Sequence, residues 1–520
     1  MKKILGRIIV VIPAIALQIA WYYMILGGLD RVMYGHLTDL ISVLFTVLAI
    51  VFVLNLVSKR DESSYKLLWV ITILVMPILG AILYASLGNR HTGLSLSKKL
   101  QESAKAFSVG EYASKKDLSA EVEKQELRLG QSMRHISETT GFPVLKNGTS
   151  RYYAFGEDMF ADMCEDLKKA ERFIFIEYFI IQRGKFWDTI TDILSERASA
   201  GVDVRVIYDD LGSIATYSVS DIHDLNRKGI RCIAFNPLLF FSTRLNNRDH
   251  RKLMVIDGRI AYSGGINLAD EYINVKEVYG RWKDIGFRIT GDGVGSYTYM
   301  FAEFWNAFSK DLIDRKNPGF FEVPEDAAEG GGTDKARGDN GYILPYYDSP
   351  VREEHTSNVF FTELLSMATH YVWFYTPYLI LGDALFDAFI RAAERGVDVR
   401  IIMPGIPDKK MIYRLSRSYY RDLLKAGVRI YEYTPGFVHA KAVICDDKVA
   451  GIGTVNLDYR SLFLHFECNS LFYRADIIED LKRDYLATQE ECRERTPENI
   501  NNGRIYRFID SVLRVLAPLL

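Results

Sequence analysis

The chain of 520 residues is long enough for more than one domain and a large buried core. Its formal net charge is only −2, which excludes the bulk cationic field that draws many proteins to nucleic acid. The five cysteines are scattered without CxxC spacing, so their pattern indicates neither a zinc site nor a disulfide framework.

The N-terminal part of the chain is strongly apolar, and we predict a transmembrane region over residues 1–90. Three apolar runs, each about 20 residues long and therefore able to cross a bilayer, cover residues 8–26, 40–57 and 67–87. A cleaved signal peptide would explain only the first run, and no small-residue cleavage site follows it. Buried core helices are the weaker alternative, because three in a row lack an amphipathic face.

Basic residues around these runs do not agree on the orientation in the membrane. Basic residues before the first run, and those between the second and third runs, favour a cytoplasmic location for these two segments. With three spans, the rest of the chain would then lie outside the cytoplasm. Basic residues after the third run favour the opposite arrangement. The sequence therefore leaves the membrane face of the remaining chain open.

The polar part of the chain is predicted to contain two half-domains. Residues 91–135 are charged and read as a helical connector, and the half-domains follow over residues 136–323 and 341–520. Between them, residues 324–340 are rich in Gly, Glu and Asp, which predicts a linker. The second half-domain is predicted to end in a C-terminal helix.

The two half-domains repeat one order of predicted elements. In the order strand, helix, strand, these elements cover residues 172–180, 187–199 and 201–207 in the first half, and 371–378, 384–394 and 396–402 in the second. Such an order predicts βαβ units and an α/β fold. The segment Gly-Val-Asp-Val-Arg occurs once in each half, which supports internal duplication.

Each half-domain also contains one histidine followed by lysine at +2 and aspartate at +7. The six motif residues are His250, Lys252 and Asp257 in the first half, and His439, Lys441 and Asp446 in the second. In both halves a glycine and an asparagine follow 7 and 10 residues after the aspartate, and the asparagines are Asn267 and Asn456. One such motif arises by chance, but two copies with the same offsets do not.

The motif predicts a site that binds a phosphate diester. Histidine and lysine two apart on a strand point to the same face, and an apolar run then carries the strand into the sheet. The aspartate begins a turn, and the returning strand brings the asparagine back towards the same place. Each copy of the motif is thus expected to bring an imidazole, an ammonium and a carboxamide group close together.

These residues resemble the phospholipase D superfamily, whose signature is a duplicated H-x-K-x-x-x-x-D. The likeness extends to residues 456–461 with Glu467, and to residues 264–267 with Trp282, Lys283 and Asp284. Together with the apolar N-terminal runs, they make the chain similar to the bacterial cardiolipin synthases of that superfamily over nearly its whole length.

The resemblance implies two phospholipase D-like half-domains packed as a pseudo-twofold pair behind N-terminal transmembrane helices. It implies that the six motif residues form the catalytic set, although the turn position of Asp257 and Asp446 favours support of the turn over contact with substrate. His250 would attack phosphorus and His439 would protonate the leaving oxygen. No metal or cofactor is required.

Further residues receive roles by the same resemblance. Two lysines and two asparagines would hold the nonbridging oxygens, namely Lys252, Lys441, Asn267 and Asn456. Asp284 and Glu467 match the carboxylates that orient the two imidazoles. The remaining histidines, including His465, are predicted to be surface or core residues.

The resemblance implies a multi-pass enzyme of the bacterial cell membrane that transfers a phosphatidyl group. Its substrate would be phosphatidylglycerol in the bilayer, two molecules giving cardiolipin and glycerol, with no nucleic acid as partner. A phospholipase D with water as acceptor is the nearest alternative. A membrane-tethered nuclease is disfavoured by the apolar runs and the low net charge, and a non-catalytic scaffold by the completeness of both motifs.

Overall fold

The structure is a computed structural model that describes most of the chain. The described residues are 31–59, 62–84, 94–107, 116–237, 246–315, 317–321, 340–500 and 503–519. The predicted first apolar span at residues 8–26 lies outside them, as does nearly all of the predicted linker at 324–340.

Three helices occupy the described N-terminal part: α1 (Arg31–Ser58), α2 (Ser63–Val75) and α3 (Pro77–Leu83). The predicted second span, residues 40–57, lies within α1. The predicted third span over residues 67–87 is interrupted in its described part, because the helix breaks at Met76 (φ −131°, ψ 74°). Pro77 has no N–H to donate and keeps the preceding residue out of the helical region.

Among the described residues, no helix combines the length and the apolar character needed to cross a membrane, so the three predicted spans are not confirmed. Helices α1 and α2 nevertheless expose many large apolar side chains, among them Val43, Leu44, Val47, Val51, Leu54, Leu67, Leu74 and Val75. On the opposite side of α2, Tyr65 stacks on Tyr459 with 6.2 Å between ring centroids, which attaches the N-terminal helices to the second half.

The predicted helical connector packs on the rest of the protein. Its helices are α4 (Leu94–Phe107), α5 (Ser119–Gln125) and α6 (Leu127–Thr140). Ser103 in α4 donates a 2.7 Å hydrogen bond to the Glu303 carbonyl oxygen, and the Asp117 carboxylate accepts one of 2.8 Å from the Val144 N–H. These contacts bury one face of the connector.

Strands of the first half form a seven-stranded sheet. In chain order they are β2 (Ser150–Tyr153), β3 (Phe173–Tyr178), β4 (Asp203–Asp209), β5 (Arg231–Phe235), β6 (Lys252–Ile256), β7 (Ile260–Gly264) and β9 (Gly286–Thr290). Their spatial order is β2-β9-β7-β6-β3-β4-β5, with β3, β4 and β5 parallel. β1 (Leu145–Lys146) instead joins the edge of the second sheet, although the predicted boundary put it in the first half.

The second sheet has nine strands. Besides β1 they are β10 (Tyr342–Asp348), β11 (Tyr371–Tyr375), β12 (Asp398–Pro404), β13 (Arg429–Tyr433), β15 (Ala442–Cys445), β16 (Val449–Gly453), β17 (Glu467–Tyr473) and β18 (Cys492–Arg495). Their order is β1-β10-β17-β16-β15-β11-β12-β13-β18. Removal of the edge strands β1 and β18 leaves the order of the first sheet, strand for strand, which is what duplication requires.

Helices cover both sheets. In the first half they are α7 (Gly156–Lys168), α8 (Lys185–Ser199), α9 (Val219–Arg227), the 3-10 turn Asp270–Ile273, α10 (Gly293–Phe308) and α11 (Pro318–Phe321). In the second they are α12 (Thr356–Met367), α13 (Asp383–Glu394), α14 (Lys410–Ser418), α15 (Tyr420–Ala426), α16 (Tyr459–Phe463), α17 (Ile477–Glu490), α18 (Arg504–Leu516) and the 3-10 turn Ala517–Leu519. The predicted α/β class with two halves is confirmed.

Helix α10 forms the centre of the core. Every residue from Gly293 to Trp305 is buried, and a helix that is apolar on all sides belongs inside a protein. It contacts β3, β6, β7 and β9 of the first sheet and β10 of the second. Phe301 stacks on Phe175 of the first sheet at 4.5 Å, and the hydroxyl groups of Tyr297 and Ser470 of the second sheet are 2.6 Å apart. The two halves therefore share one core.

The two motif aspartates stabilise turns. Asp257 has φ 54° and Asp446 has φ 51°, a left-handed conformation that aspartate tolerates better than most residues. The Asp257 carboxylate accepts the backbone N–H groups of residues 171, 172 and 173 at 2.7–2.9 Å. Asp446 accepts those of residues 369, 370 and 371 at 2.8–2.9 Å.

We predict that Asp257→Ala lowers the free energy of unfolding by ~2 kcal/mol or more, because three hydrogen bonds to a charged group are lost. Chemical denaturation in detergent measures the change. Asp192→Ala is the matched control, since Asp192 is exposed and its described ion pair, with Lys228, is 3.6 Å long. Equal stability of the two variants would contradict the turn-supporting role.

Candidate active site

A cavity of about 500 Å³ lies between the two halves. Both motif histidines line it: His250 lies two residues before β6, and His439 lies between β14 (Gly436–Val438) and β15. The wall also contains Asn267 and Asn456, so four of the predicted site residues meet in one cavity.

Main-chain hydrogen bonds to the opposite half fix the position of each histidine. The His250 N–H donates to the Phe466 carbonyl oxygen at 2.8 Å, next to a bridge between Asp249 and Phe466. The His439 N–H donates to the Lys283 carbonyl oxygen at 2.7 Å. This second contact continues the parallel pairing of β14 with β8 (Arg281–Lys283). The backbone of one half thus places the histidine of the other.

The carboxylates that orient the imidazoles are exchanged in the same way. His250 Nδ1 is 2.8 Å from Glu467 Oε2, and His439 Nδ1 is 2.6 Å from Asp284 Oδ2. Both carboxylates are completely buried. When both carboxylates are ionised they only accept hydrogen bonds, so each pair then holds the proton on Nδ1 and leaves Nε2 as the reactive ring nitrogen.

Neighbouring groups hold these carboxylates in place. Glu467 accepts hydrogen bonds from the hydroxyl groups of Ser461 and Thr454. Burial raises the pKa of Glu467 well above its usual value, and Lys252 and the two hydroxyls oppose that rise. Asp284 lies against Gly265, where a Cβ atom would collide with its carboxylate. Gly265 thus gives Asp284 room beside the motif.

The two motif lysines do not form part of the cavity wall. Lys252 Nζ donates a 2.8 Å hydrogen bond to the carbonyl oxygen of His250. Lys441 Nζ bonds in the same way to the carbonyl oxygen of His439 and lies 2.6 Å from its Nδ1. Both side chains are almost completely buried. Their predicted contact with nonbridging oxygens therefore stays a prediction.

The two asparagines differ in how they are held. Asn267 Oδ1 accepts the Ile180 N–H at 3.1 Å, and its Nδ2 donates to the Tyr272 hydroxyl at 2.7 Å. Asn456 Oδ1 is buried without a hydrogen-bond partner among the described residues. A buried polar atom without a partner costs free energy, which a ligand donor in the cavity would recover.

Burial and positive charge keep both imidazoles neutral. Burial lowers the pKa of His250 well below its usual value, and the charges of Lys252 and Lys441 lower it further. Burial and Lys441 lower the pKa of His439 to about 4, against the opposing effect of Asp284. Burial also lowers the pKa of Lys252 to about 8 and that of Lys441 to about 7. An anionic phosphate beside these groups favours their charged forms and raises all four pKa values.

Aromatic side chains surround His439; of these, only Trp282 belongs to a segment singled out from the sequence, and no role in the site was predicted for it. Ring centroids of Tyr272, Trp282 and Phe437 lie 5.3, 5.6 and 5.9 Å from that of His439. Phe179 packs edge-on against His250 at 4.9 Å. The available signal was sequence proximity, since Trp282 lies two residues before Asp284 and Phe437 two before His439.

His465, predicted to be a surface or core residue without a role, also lines the cavity. Its ring lies 6.4 Å from that of His250, and its Nδ1 accepts the Arg248 N–H at 3.4 Å. Burial lowers its pKa to about 3, so the ring is neutral at pH 7. Its position two residues before Glu467 was the one sequence signal for this placement.

Charged residues of both signs complete the wall: Arg248, Glu271, Asp408, Lys409, Asp458 and Arg460. Within the described ranges, no group of three or more His, Cys, Asp or Glu side chains is arranged to hold a metal ion. The arrangement supports transfer chemistry carried by the two imidazoles, with acid and base supplied by the protein.

Comparison with known proteins identifies the family. The model of the family described as cardiolipin synthase, PLD-like domain, matches residues 163–278 and 361–487, one segment in each half. A cardiolipin synthase of Alkalihalophilus pseudofirmus is 31% identical over 515 residues, covering 98% of this chain and 99% of the relative. The chain belongs to the cardiolipin synthase family. Membership makes it an enzyme of the phosphatidyltransferase class.

The chain is also similar to a second family model, a further relative and a solved structure. Residues 44–89 match the model described as phospholipase D-nuclease N-terminal. An uncharacterized protein of Streptococcus mutans is 40% identical over 475 residues, covering 90% of this chain and 99% of its own length. The crystal structure of a phosphatidylserine synthase of Haemophilus influenzae shares the fold, with a TM-score of 0.56 at 15% identity over 75% of this chain and all of its own.

The lowered pKa of His439 predicts a pH-dependent stability. Between about pH 6.5 and pH 4 the unfolded chain binds a proton on this histidine and the folded chain does not, so stability falls as the pH drops. From pH 7 to pH 5 this histidine accounts for a loss of ~2 kcal/mol. Denaturation in detergent should therefore show a smaller loss for His439→Gln than for the wild type.

The matched control for this measurement is the exposed His370. His370→Gln should keep the full pH dependence of the wild type. The same pH dependence in His439→Gln and in the wild type would contradict a depressed pKa at His439.

Proposed function

We propose that this family member joins two phosphatidylglycerol molecules into cardiolipin and releases glycerol. The observation that carries the proposal is that both imidazoles line one cavity, each held at Nδ1 by a buried carboxylate from the opposite half. Two reactive Nε2 atoms facing one space suit attack on a phosphodiester from one side and protonation of its leaving group from the other.

The first half-reaction forms a phosphohistidine. His250 Nε2 attacks phosphorus, and the bond from phosphorus to the glycerol oxygen breaks. His439, protonated at Nε2 once the anionic phosphate is bound, gives its proton to that oxygen, and glycerol leaves. Lys252 and Lys441 contribute positive charge near the phosphoryl oxygens, and Asn456 offers an amide at the cavity wall.

The second half-reaction uses a second lipid as the acceptor. Neutral His439 takes the proton from a free hydroxyl of another phosphatidylglycerol, whose oxygen then attacks the phosphohistidine. The bond from phosphorus to His250 Nε2 breaks, which restores the neutral imidazole and gives cardiolipin. The phosphodiester bond type is kept throughout, so no nucleotide is consumed.

The aromatic wall around His439 supports transfer over hydrolysis. Tyr272, Trp282 and Phe437 crowd the imidazole that must activate the acceptor. Apolar rings lower the access of bulk water to that nitrogen and favour an acceptor delivered on a lipid.

The exposed apolar side chains of α1 and α2 support attachment to a bacterial cell membrane. In this proposal, residues 8–26 and 40–57 and the interrupted run at 67–87 form a multi-pass anchor, followed by half-domains over 136–323 and 341–520. Such an anchor brings the cavity to phospholipids that are insoluble in water.

The direct test uses the purified protein in phosphatidylglycerol vesicles without added metal or nucleotide. We expect cardiolipin and free glycerol in equal amounts, measured by mass spectrometry and an enzymatic glycerol assay. The His250→Ala variant in the same vesicles is the control for background reaction. Phosphatidic acid without cardiolipin would replace the proposed transferase with a phospholipase D.

The roles of the two histidines are separable. We predict that His250→Ala and His439→Ala each lower turnover of phosphatidylglycerol by at least ~10³-fold, because each loses one chemical step. With p-nitrophenyl phosphatidate, whose leaving group departs without a proton, His439→Ala should still release one equivalent of nitrophenol and retain the phosphatidyl group on His250.

His250→Ala should release no nitrophenol from the same compound, because no nucleophile remains. The reverse pattern would assign the nucleophile to His439. Conversion of phosphatidylglycerol at a nearly normal rate in either variant would exclude the two-histidine mechanism.

A further inference from the structure

A second cavity, of about 690 Å³, lies between helices α14 and α18 of the second half. We call it the arginine cavity, because five arginines and one carboxylate are its charged lining: Arg414, Arg417, Arg421, Arg507, Arg514 and Asp510. It shares no residue with the wall of the active-site cavity.

Nearby carboxylates do not neutralise the arginine cavity. Asp422 pairs with Arg514 at 3.2 Å and with Arg421 at 3.3 Å. Glu432 is shared between Arg417, at 3.2 Å, and Arg495. Leaving Arg507 out of the count, the described ion pairs join five arginines, Arg495 included, to three carboxylates, so a positive charge remains on this part of the cavity wall.

Arg414, at the wall of this cavity, has an unsatisfied donor. Its Nε is 3.3 Å from the Asp510 carboxylate, and its guanidinium lies 5.0 Å from the ring centroid of Tyr506. Its Nη2 is buried and has no hydrogen-bond partner among the described residues. A guanidinium at the wall of a positive cavity, with one N–H group still unsatisfied, is suited to a phosphate group.

The same helix that lines the arginine cavity also presents an apolar surface. Ile505, Phe508 and Val512 of α18 are exposed, Ile505 and Phe508 by more than 70%. Helix α18 contacts α2, which exposes Leu67 and Leu74 in turn. A positive cavity beside exposed apolar side chains matches a molecule with an anionic head and apolar chains.

We propose that the arginine cavity binds the phosphate group of an anionic phospholipid, whose acyl chains lie along the apolar residues of α18 and α2. Helix α14 separates this lipid from the active site, since Ile412 lines one cavity while Arg414 and Arg417 line the other. The site therefore holds a lipid one helix away from the reacting imidazoles. This inference does not depend on which transfer the active site catalyses.

The test counts bound lipids by native mass spectrometry of the full chain in neutral detergent. His250→Ala is the parent, so that turnover does not consume the lipid. We expect the parent to bind one more phosphatidylglycerol than Arg414→Gln/Arg507→Gln, whose affinity at this site should fall at least tenfold. Arg414→Lys/Arg507→Lys should keep the extra lipid, because the charge is retained.

Controls identify the site and the ligand. Arg227→Gln changes an exposed arginine of the first half and should bind as many lipids as the parent. Phosphatidylcholine should not occupy the site, because its head group has no net charge. Inorganic phosphate at millimolar concentration should not displace the lipid, since it lacks acyl chains.

The same lipid count in the parent and in Arg414→Gln/Arg507→Gln would overturn the proposal. Equal binding of phosphatidylcholine, or displacement of the lipid by inorganic phosphate, would also overturn it. If the double variant fails to fold, Arg507→Gln alone carries the same comparison, because Arg507 is exposed. Failure of this test leaves the cardiolipin assay untouched, since that assay is read from product formation.

Discussion

Two buried hydrogen bonds that cross between the halves determine the geometry of the active site. Glu467 holds the ring of His250, and Asp284 holds the ring of His439. A buried carboxylate left without its partner costs several kcal/mol, so the halves cannot shift apart without a large loss of free energy. The shared core around α10 and the short pairing of β8 with β14 keep the two rings over one cavity.

Much of this arrangement was predictable because the chain is duplicated. Repeated segments predicted the α/β class and the two halves, and a two-residue spacing predicted that histidine and lysine share a strand face. The partners of the imidazoles were identified as a pair, Asp284 and Glu467. Which carboxylate serves which histidine was not predictable, because spacing within one half carries no information about contacts between halves.

Other features depend on packing that the sequence does not display. The lysine ammonium groups turn back to the carbonyl oxygens of their own histidines, since burial makes those oxygens the nearest acceptors. His465 reaches the cavity because the chain bends before β17 begins. The arginine cavity forms where α14 meets α18, about ninety residues apart in sequence. The break at Met76 was predictable from Pro77, which the transmembrane interpretation discounted.

The exchanged carboxylates also mean that the protein behaves as a fused dimer with isologous contacts. A fragment containing only the first half would carry an imidazole without its acceptor and an acceptor without its imidazole, and the other fragment would mirror it. Neither fragment alone would contain a complete active site. Mixing the two fragments would restore the active site only at the rate at which the fragments associate. In the intact chain the halves are covalently linked, so each half is held at a high effective concentration beside the half that supplies its carboxylate.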